Sequence, residues 1–137
     1  MKNLLIILIS ILLLSSPVIG DSHKGETLYG WGECTETTLW SCDYVWKGFG
    51  DKDTHTVYQG EVENGVPNGL GVMIFPSGGK YVGSWENGKM NGKGTYTWSN
   101  GEKYEGVNKD GKPWNGTLYD ENGNIGLKIV NGKVINQ

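Results

Sequence analysis

The chain contains no arginine; its twelve basic residues are all lysines, set against fifteen acids for a formal net charge of −3. Arginine supplies the forked donor that dominates base readout and phosphate clamping, and a net negative surface repels a polyanion. Nucleic acid is therefore not an expected partner, and attraction to an anionic membrane surface is disfavoured for the same reason. Histidine is limited to His23 and His55 and cysteine to Cys34 and Cys42. With so few candidate bases, no nucleophile, base and oxyanion donor come together by motif, and neither enzymatic activity nor a cofactor is expected. Long apolar runs are missing after residue 20, while 22 of the 23 glycines fall there, a density that works against helices. The glycines have no three-residue period, which excludes collagen.

What is present begins with a leader. Lys2 precedes the apolar run Leu4 to Leu14, interrupted only by Ser10, and Ser15, Ser16 and Pro17 follow it. Basic, apolar and small residues in that order predict a signal peptide spanning 1–20, with cleavage after Gly20. The run is too short for a bilayer, which takes about 20 apolar residues. The expected location is secreted or periplasmic, and the mature chain, Asp21 to Gln137, carries a net charge of −4.

The mature chain repeats itself. Tyr58-Gln-Gly60, Tyr81-Val-Gly83 and Tyr104-Glu-Gly106 recur at a period of 23 residues, the mark of a repeat architecture. Asn64-Gly65 meets Asn87-Gly88, Asn68-Gly69-Leu-Gly71 meets Asn91-Gly92-Lys-Gly94, and Phe75 meets Trp98. The units are 58–80, 81–103 and a less regular 104–124, followed by a partial unit at 125–135 with aliphatics in place of aromatics. Residues 21–57 are expected to form an amino-terminal cap, in which Gly48-Phe49-Gly50 resembles half of a diverged unit.

Each unit predicts a β-hairpin. Asn-Gly favours the two-residue type I′ turn, and turns are expected at Asn64, Asn87, Asn91, Asn100, Asn115, Asn122 and Asn131. Between turns the pattern has period two. Tyr81, Gly83 and Trp85 share one face, as do Gly94, Tyr96 and Trp98, while Val82, Ser84, Glu86, Thr95 and Thr97 take the other. Aromatic rings lying over glycines of the next strand would cover bare backbone and let the sheet curl. The expected fold is all-β: a curved, elongated antiparallel β-meander.

The unit Tyr81-Val-Gly83-Ser-Trp85-Glu-Asn87-Gly88-Lys-Met-Asn91-Gly92-Lys-Gly94 resembles the MORN repeat, Y-x-G-x-W-x-N-G-x-x-x-G-x-G, at every specified position. The first unit departs from it at Val62 and the third at Asn108. The resemblance implies an elongated β-sheet scaffold without catalytic residues of its own, of a kind proposed to bind lipids or to mediate dimerisation.

Candidate sites follow from the same residues. Cys34 and Cys42, in an exported chain, predict a disulfide; the competing Cys34, Cys42, His23, His55 zinc set has no compact metal-site spacing. The pairs Glu61 with Glu63 and Glu102 with Glu105 read as solvated strand faces rather than glycosidase acids. Gly92-Lys93-Gly94-Thr95 lacks the rest of a phosphate loop. Asn115-Gly-Thr117 is a glycosylation sequon in a eukaryotic host. The aromatic stripe Tyr58, Tyr81, Trp85, Tyr96, Trp98 and Tyr104 is either core or a concave binding groove for another protein or, alternatively, for envelope lipid or glycan. Tyr29, Trp31, Trp40, Tyr44 and Trp46 are expected to cover the edge of the first repeat strand.

Overall fold

A computed structural model describes residues 25–32, 34–35 and 41–135 of the 137. The expected leader at 1–20 and its cleavage site lie outside the described residues, as do His23 and Trp40. The strands are β1 (Glu26–Trp31), β2 (Cys34–Thr35), β3 (Ser41–Cys42), β4 (Val45–Lys47), β5 (Thr56–Glu63), β6 (Val66–Ile74), β7 (Lys80–Glu86), β8 (Lys89–Thr97), β9 (Lys103–Lys109), β10 (Lys112–Tyr119), β11 (Ile125–Val130) and β12 (Lys133–Ile135). There is no helix among the described residues.

Ten strands form one open antiparallel sheet in the order β12-β11-β10-β9-β8-β7-β6-β5-β1-β4, and β2 pairs with β3 apart from it. From β5 to β12 the chain is the expected meander. The amino-terminal segment adds to the sheet: β1 pairs with the edge of β5, and β4 pairs with the far side of β1. Gly48-Phe49-Gly50 forms no strand, and Phe49 is exposed.

Two kinds of turn alternate along the meander. At one edge, Asn64, Asn87, Asp110 and Asn131 have φ near +50° and each is followed by a glycine at positive φ, the type I′ geometry. At the other edge, Gly78 N–H donates to Phe75 O, Gly101 to Trp98 O and Gly123 to Asp120 O. These are three-residue loops closed by a left-handed glycine, so Asn100 and Asn122 stand in turns of a different type from the one expected.

Asn91 and Asn115, expected in turns, lie inside β8 and β10, as Asn68 lies inside β6. The repeated Asn-Gly there marks a bulge: the register shifts between Gly60 and Val62, between Gly83 and Trp85, and between Pro113 and Asn115. Each of these asparagines reaches one hairpin along. The Asn68 carboxamide oxygen accepts from Asn87 N–H (3.2 Å), Asn91 from Asp110 N–H (3.2 Å), and Asn115 from Asn131 N–H (2.8 Å). The adjacent carbonyls of Pro67, Met90 and Trp114 accept from Gly88, Gly111 and Gly132, each at 2.8 Å. Every bulge thus grips the next type I′ turn by two hydrogen bonds.

The core lies on one face. Tyr58, Tyr81 and Tyr104 have no exposed surface, and each hydroxyl donates to the carbonyl three residues on, Glu61, Ser84 and Val107. A Cβ on Gly71, Gly94 or Gly116 would come within 2.3, 2.2 and 2.6 Å of the tyrosine ring or hydroxyl lying over it. The rings therefore pack onto bare backbone of the neighbouring strand, as the pattern predicts.

A single layer can bury such rings only by curling. Trp46 on β4 meets Trp85 on β7 with ring centroids 6.3 Å apart, although four strand steps separate them. In a flat sheet that interval is about 19 Å, at roughly 4.8 Å per strand. Two indoles cannot span it, so the sheet brings its amino-terminal end over its own concave face.

Candidate functional site: a lysine-lined groove on the concave side

The six aromatics singled out in the sequence belong to one cluster. Tyr58, Tyr81, Trp85, Tyr96 and Tyr104 are buried in it, and Trp98 packs against it. Tyr58 meets Trp85 at 5.2 Å, Tyr81 meets Trp85 at 5.3 Å, and Tyr96 meets Trp98 at 4.6 Å. Burial raises the pKa of Tyr81 to about 12, against a smaller opposing effect of its hydrogen bond from Asn108, and burial likewise raises those of Tyr58 and Tyr104. The stripe is the packing of the repeats, and of the six only Trp85 also borders a groove on the concave side.

The amino-terminal segment decides where the concave face stays open. Trp46 lies against Tyr58 (6.0 Å) and beside Gly88, and the Tyr44 hydroxyl shares a hydrogen bond of 2.8 Å with Thr56. This covers the first two units. Beyond it a groove of about 630 Å³ runs from Cys42, Asp43 and Tyr44 to the last turn at Asn131 and Gly132. Met73, Trp85, Met90, Pro113 and Trp114 supply its apolar surface.

Lys89, Lys109, Lys112 and Lys133 also line the groove, with Asp43 and Asp110 its only acids. Four of the twelve lysines are thus gathered with two of the fifteen acids, so the groove is locally positive in a net negative chain. The Lys109 ammonium stands 4.6 Å from the centroid of the Trp114 ring, and Lys89 is 3.9 Å from the Asp43 carboxylate. Lys112 and Lys133 are exposed.

Sequence reasoning passed over these residues, though a signal exists. Lysine directly follows the type I′ turn three times, as Asn87-Gly88-Lys89, Asp110-Gly111-Lys112 and Asn131-Gly132-Lys133. Trp114 stands out in the sequence only as the head of Trp114-Asn115-Gly116-Thr-Leu-Tyr, a degenerate form of the repeat, and the methionines do not recur at the 23-residue period.

The third unit departs from the repeat at the same level. Asn108, where the second unit has Trp85, is 2% exposed; it donates to the Tyr81 hydroxyl at 3.2 Å, while its carbonyl oxygen has no partner. Lys109, next in the chain, and Pro113, its partner across the ladder, both line the groove. A smaller side chain stands here in place of an indole, so less of the concave face is filled.

The other candidate sites are spread over ordinary structural roles. Glu61 is bonded to the Leu70 N–H, Glu63 accepts from the Asn68 amide at 2.8 Å, and Glu105 pairs with Lys103 at 2.7 Å. His55 bonds within the loop of Asp51 and Thr54 and packs on Trp31. No group of three or more His, Cys, Asp or Glu able to hold a metal ion occurs among the described residues. Ladder register sets Cys34 opposite Cys42. The sequon residue Asn115 is engaged through its carboxamide with Asn131.

No curated protein matches the chain. The family model for the MORN repeat matches residues 58–80 and 81–103, the first two units of the meander, and the third and fourth hairpins continue the same sheet outside that match. MORN repeats are in general a non-catalytic scaffold for protein or membrane interaction. Repeat period, Tyr-over-Gly packing and the family match agree: the chain carries MORN repeats at residues 58–80 and 81–103.

Proposed function

We propose that this is an exported, non-enzymatic scaffold that holds another protein in the groove running along its concave side from the amino-terminal segment to the last turn. The observation that carries the reading is the contrast along that face. Around Tyr58 and Tyr81 rings and the folded-back amino-terminal segment fill it, while between that segment and the last turn Trp114, over Met90 and Pro113, borders accessible space. Groove volumes of several hundred Å³ with a few polar groups are typical of binding sites.

Export supports a Cys34–Cys42 disulfide. Directly opposed strand positions have the Cα spacing that such a bond needs, and in the chain-entropy model closure of this short loop adds about 2.5 kcal/mol. It would hold Cys42, one wall of the groove, in place. Intact mass of the secreted protein before and after reduction and alkylation decides the point: labelling of both thiols without reduction would remove the bond.

The reading is tested by photo-crosslinking in the native exported fraction, with the crosslinker placed at Lys112 and, as control, at Thr95, which does not line the groove. A discrete adduct formed from position 112 and absent from position 95 is expected. Equal yields, or none at 112, would overturn it. Binding of envelope lipid or glycan is the rival reading, and co-sedimentation with vesicles and cell-wall polysaccharide addresses it directly.

A further inference from the structure

We propose that the occupant of the groove is an extended acidic peptide segment carrying an aromatic or long aliphatic side chain between its carboxylates; this rests on the reading of the groove as a protein-binding site. Charge complementarity is the argument. Lys89, Lys109, Lys112 and Lys133 line a groove in which only Asp43 and Asp110 oppose them, whereas the chain as a whole carries an excess of acids. An acidic ligand gains from this local field, and a basic one meets repulsion from the same lysines.

The lysines recur by construction. Lys89, Lys112 and Lys133 each follow a type I′ turn, and those turns line one edge of the sheet in the order β7–β8, β9–β10, β11–β12. Successive turns stand two strands apart, about 9.6 Å in a flat sheet and less on the inside of a curl. An extended chain advances about 6.8 Å every two residues, so carboxylates at alternate positions or every third position keep pace with the ladder.

Between the lysines the surface is apolar. Trp114 offers its half-buried ring with Lys109 already above it, and the core residues Met73 and Met90, 2% and 6% exposed, form the floor of the groove beside it. That alternation of cationic and apolar contacts fits a segment of the form acid, apolar, acid. A flat anionic bilayer is a poorer match, because a concave trough cannot be covered by a plane and the net charge of the whole chain opposes approach.

The test uses the mature, oxidised protein and three probes. The first is a fluorescein-labelled peptide Asp-Leu-Glu-Phe-Glu-Leu-Asp, the second its copy with every acid replaced by Lys, and the third vesicles of phosphatidylglycerol. Anisotropy is expected to show binding of the acidic peptide at least tenfold tighter than of the basic one, weakening as salt rises. The K112E/K133E double variant alters exposed side chains alone and should lose tenfold or more, while K80E, on an exposed face away from the groove, should not.

Equal binding of the two peptides, or an unchanged affinity in K112E/K133E, overturns the proposal. So does binding of vesicles, lost in K112E/K133E, without binding of the acidic peptide, which would assign the groove to lipid. If the acidic peptide fails while the crosslinker at Lys112 still captures a protein, the acidic-segment proposal falls and the scaffold reading stands; if both fail, both fall.

Discussion

At the residue scale the fold turns on tyrosines that lie on glycines. Gly94 shows the constraint most tightly, since a Cβ would stand 2.2 Å from the Tyr81 hydroxyl and the ring, with no exposed surface, has nowhere to go. Gly94→Ala is expected to cost about 1–3 kcal/mol as an overpacked core does. Gly126, where the nearest atom to such a Cβ is 3.6 Å away, is the control, and Gly126→Ala should be close to neutral in urea denaturation. Equal effects at the two sites would show that backbone freedom, not the ring, sets the cost. This much was legible in the sequence, because Tyr-x-Gly facing Gly recurs at a fixed period and only the absence of a side chain explains a glycine in mid-strand.

The same tyrosines set a limit at high pH. The ordinary phenol value is 10.0, and burial raises Tyr81 to about 12 and raises Tyr58 and Tyr104 as well. Between those values the unfolded chain loses phenolic protons that the folded chain keeps, so stability is complete below about pH 10 and falls as pH rises towards 12. Absorbance of tyrosinate should therefore appear in two steps, the second coinciding with loss of the sheet by circular dichroism. A single step with the sheet intact would mean that the buried hydroxyls are accessible. Asn108 could not be read in this way from sequence: as a departure from the repeat it gave no sign that its carbonyl would be buried without a partner. Asn108→Val, which copies Val62 of the first unit, removes that acceptor, and the Tyr81 hydroxyl keeps its bond to Ser84. A gain of about 1 kcal/mol is expected in thermal or urea unfolding, and a loss would show that an ordered water serves the carbonyl.

At the element scale the asparagines divide the labour. In the first two units one Asn-Gly makes the type I′ turn and a second makes the bulge that holds the next turn; in the third, Asp110-Gly111 makes the turn and Asn115-Gly116 stands at the bulge. Two identical dipeptides with different conformations cannot be told apart by local propensity, which is why Asn91 and Asn115 read as turns; the partner that distinguishes them lies 19 and 16 residues away. Asn91→Ala removes the acceptor for Asp110 N–H and the 2.7 Å donor to Glu86, leaving the Gly111 to Met90 bond in place. About 1–2 kcal/mol should be lost. Asn91→Asp keeps the acceptor but sets a second carboxylate against Glu86, so it is expected to be the worse variant at neutral pH. Like charge raises the carboxylate pKa in the fold, and the variant should therefore recover stability as pH falls through the carboxylate range and lose it as pH rises. If the two variants behave alike at every pH, the amide donor contributes nothing.

At the scale of the whole molecule, the sequence pattern foretold a curved meander but not the path of its first third. Tyr29, Trp31, Tyr44 and Trp46 lack the period, and nothing local says that β1 and β4 extend the sheet or that Trp46 reaches across it to Trp85. That contact is long-range in both sequence and ladder, and it decides which part of the concave face is filled and which remains a groove. Trp46→Ala is the informative change. Trp46 is half-buried, so a loss near 3 kcal/mol, the low end for a core Trp, is expected. Its structural effect separates two causes of the curl. If the folded-back segment holds the curl, Trp85 should become open to acrylamide quenching in the variant and the groove beside Gly88 and Lys89 should lose its wall, with the Asp43 to Lys89 pair. If instead the glycines and tyrosine rings of the repeats curl the sheet by themselves, Trp85 stays shielded by Tyr58 and Tyr81, and only stability changes. The first outcome makes the amino-terminal segment, and the disulfide proposed for it, a determinant of the groove's shape; the second leaves the repeats as sole architects of the concave face.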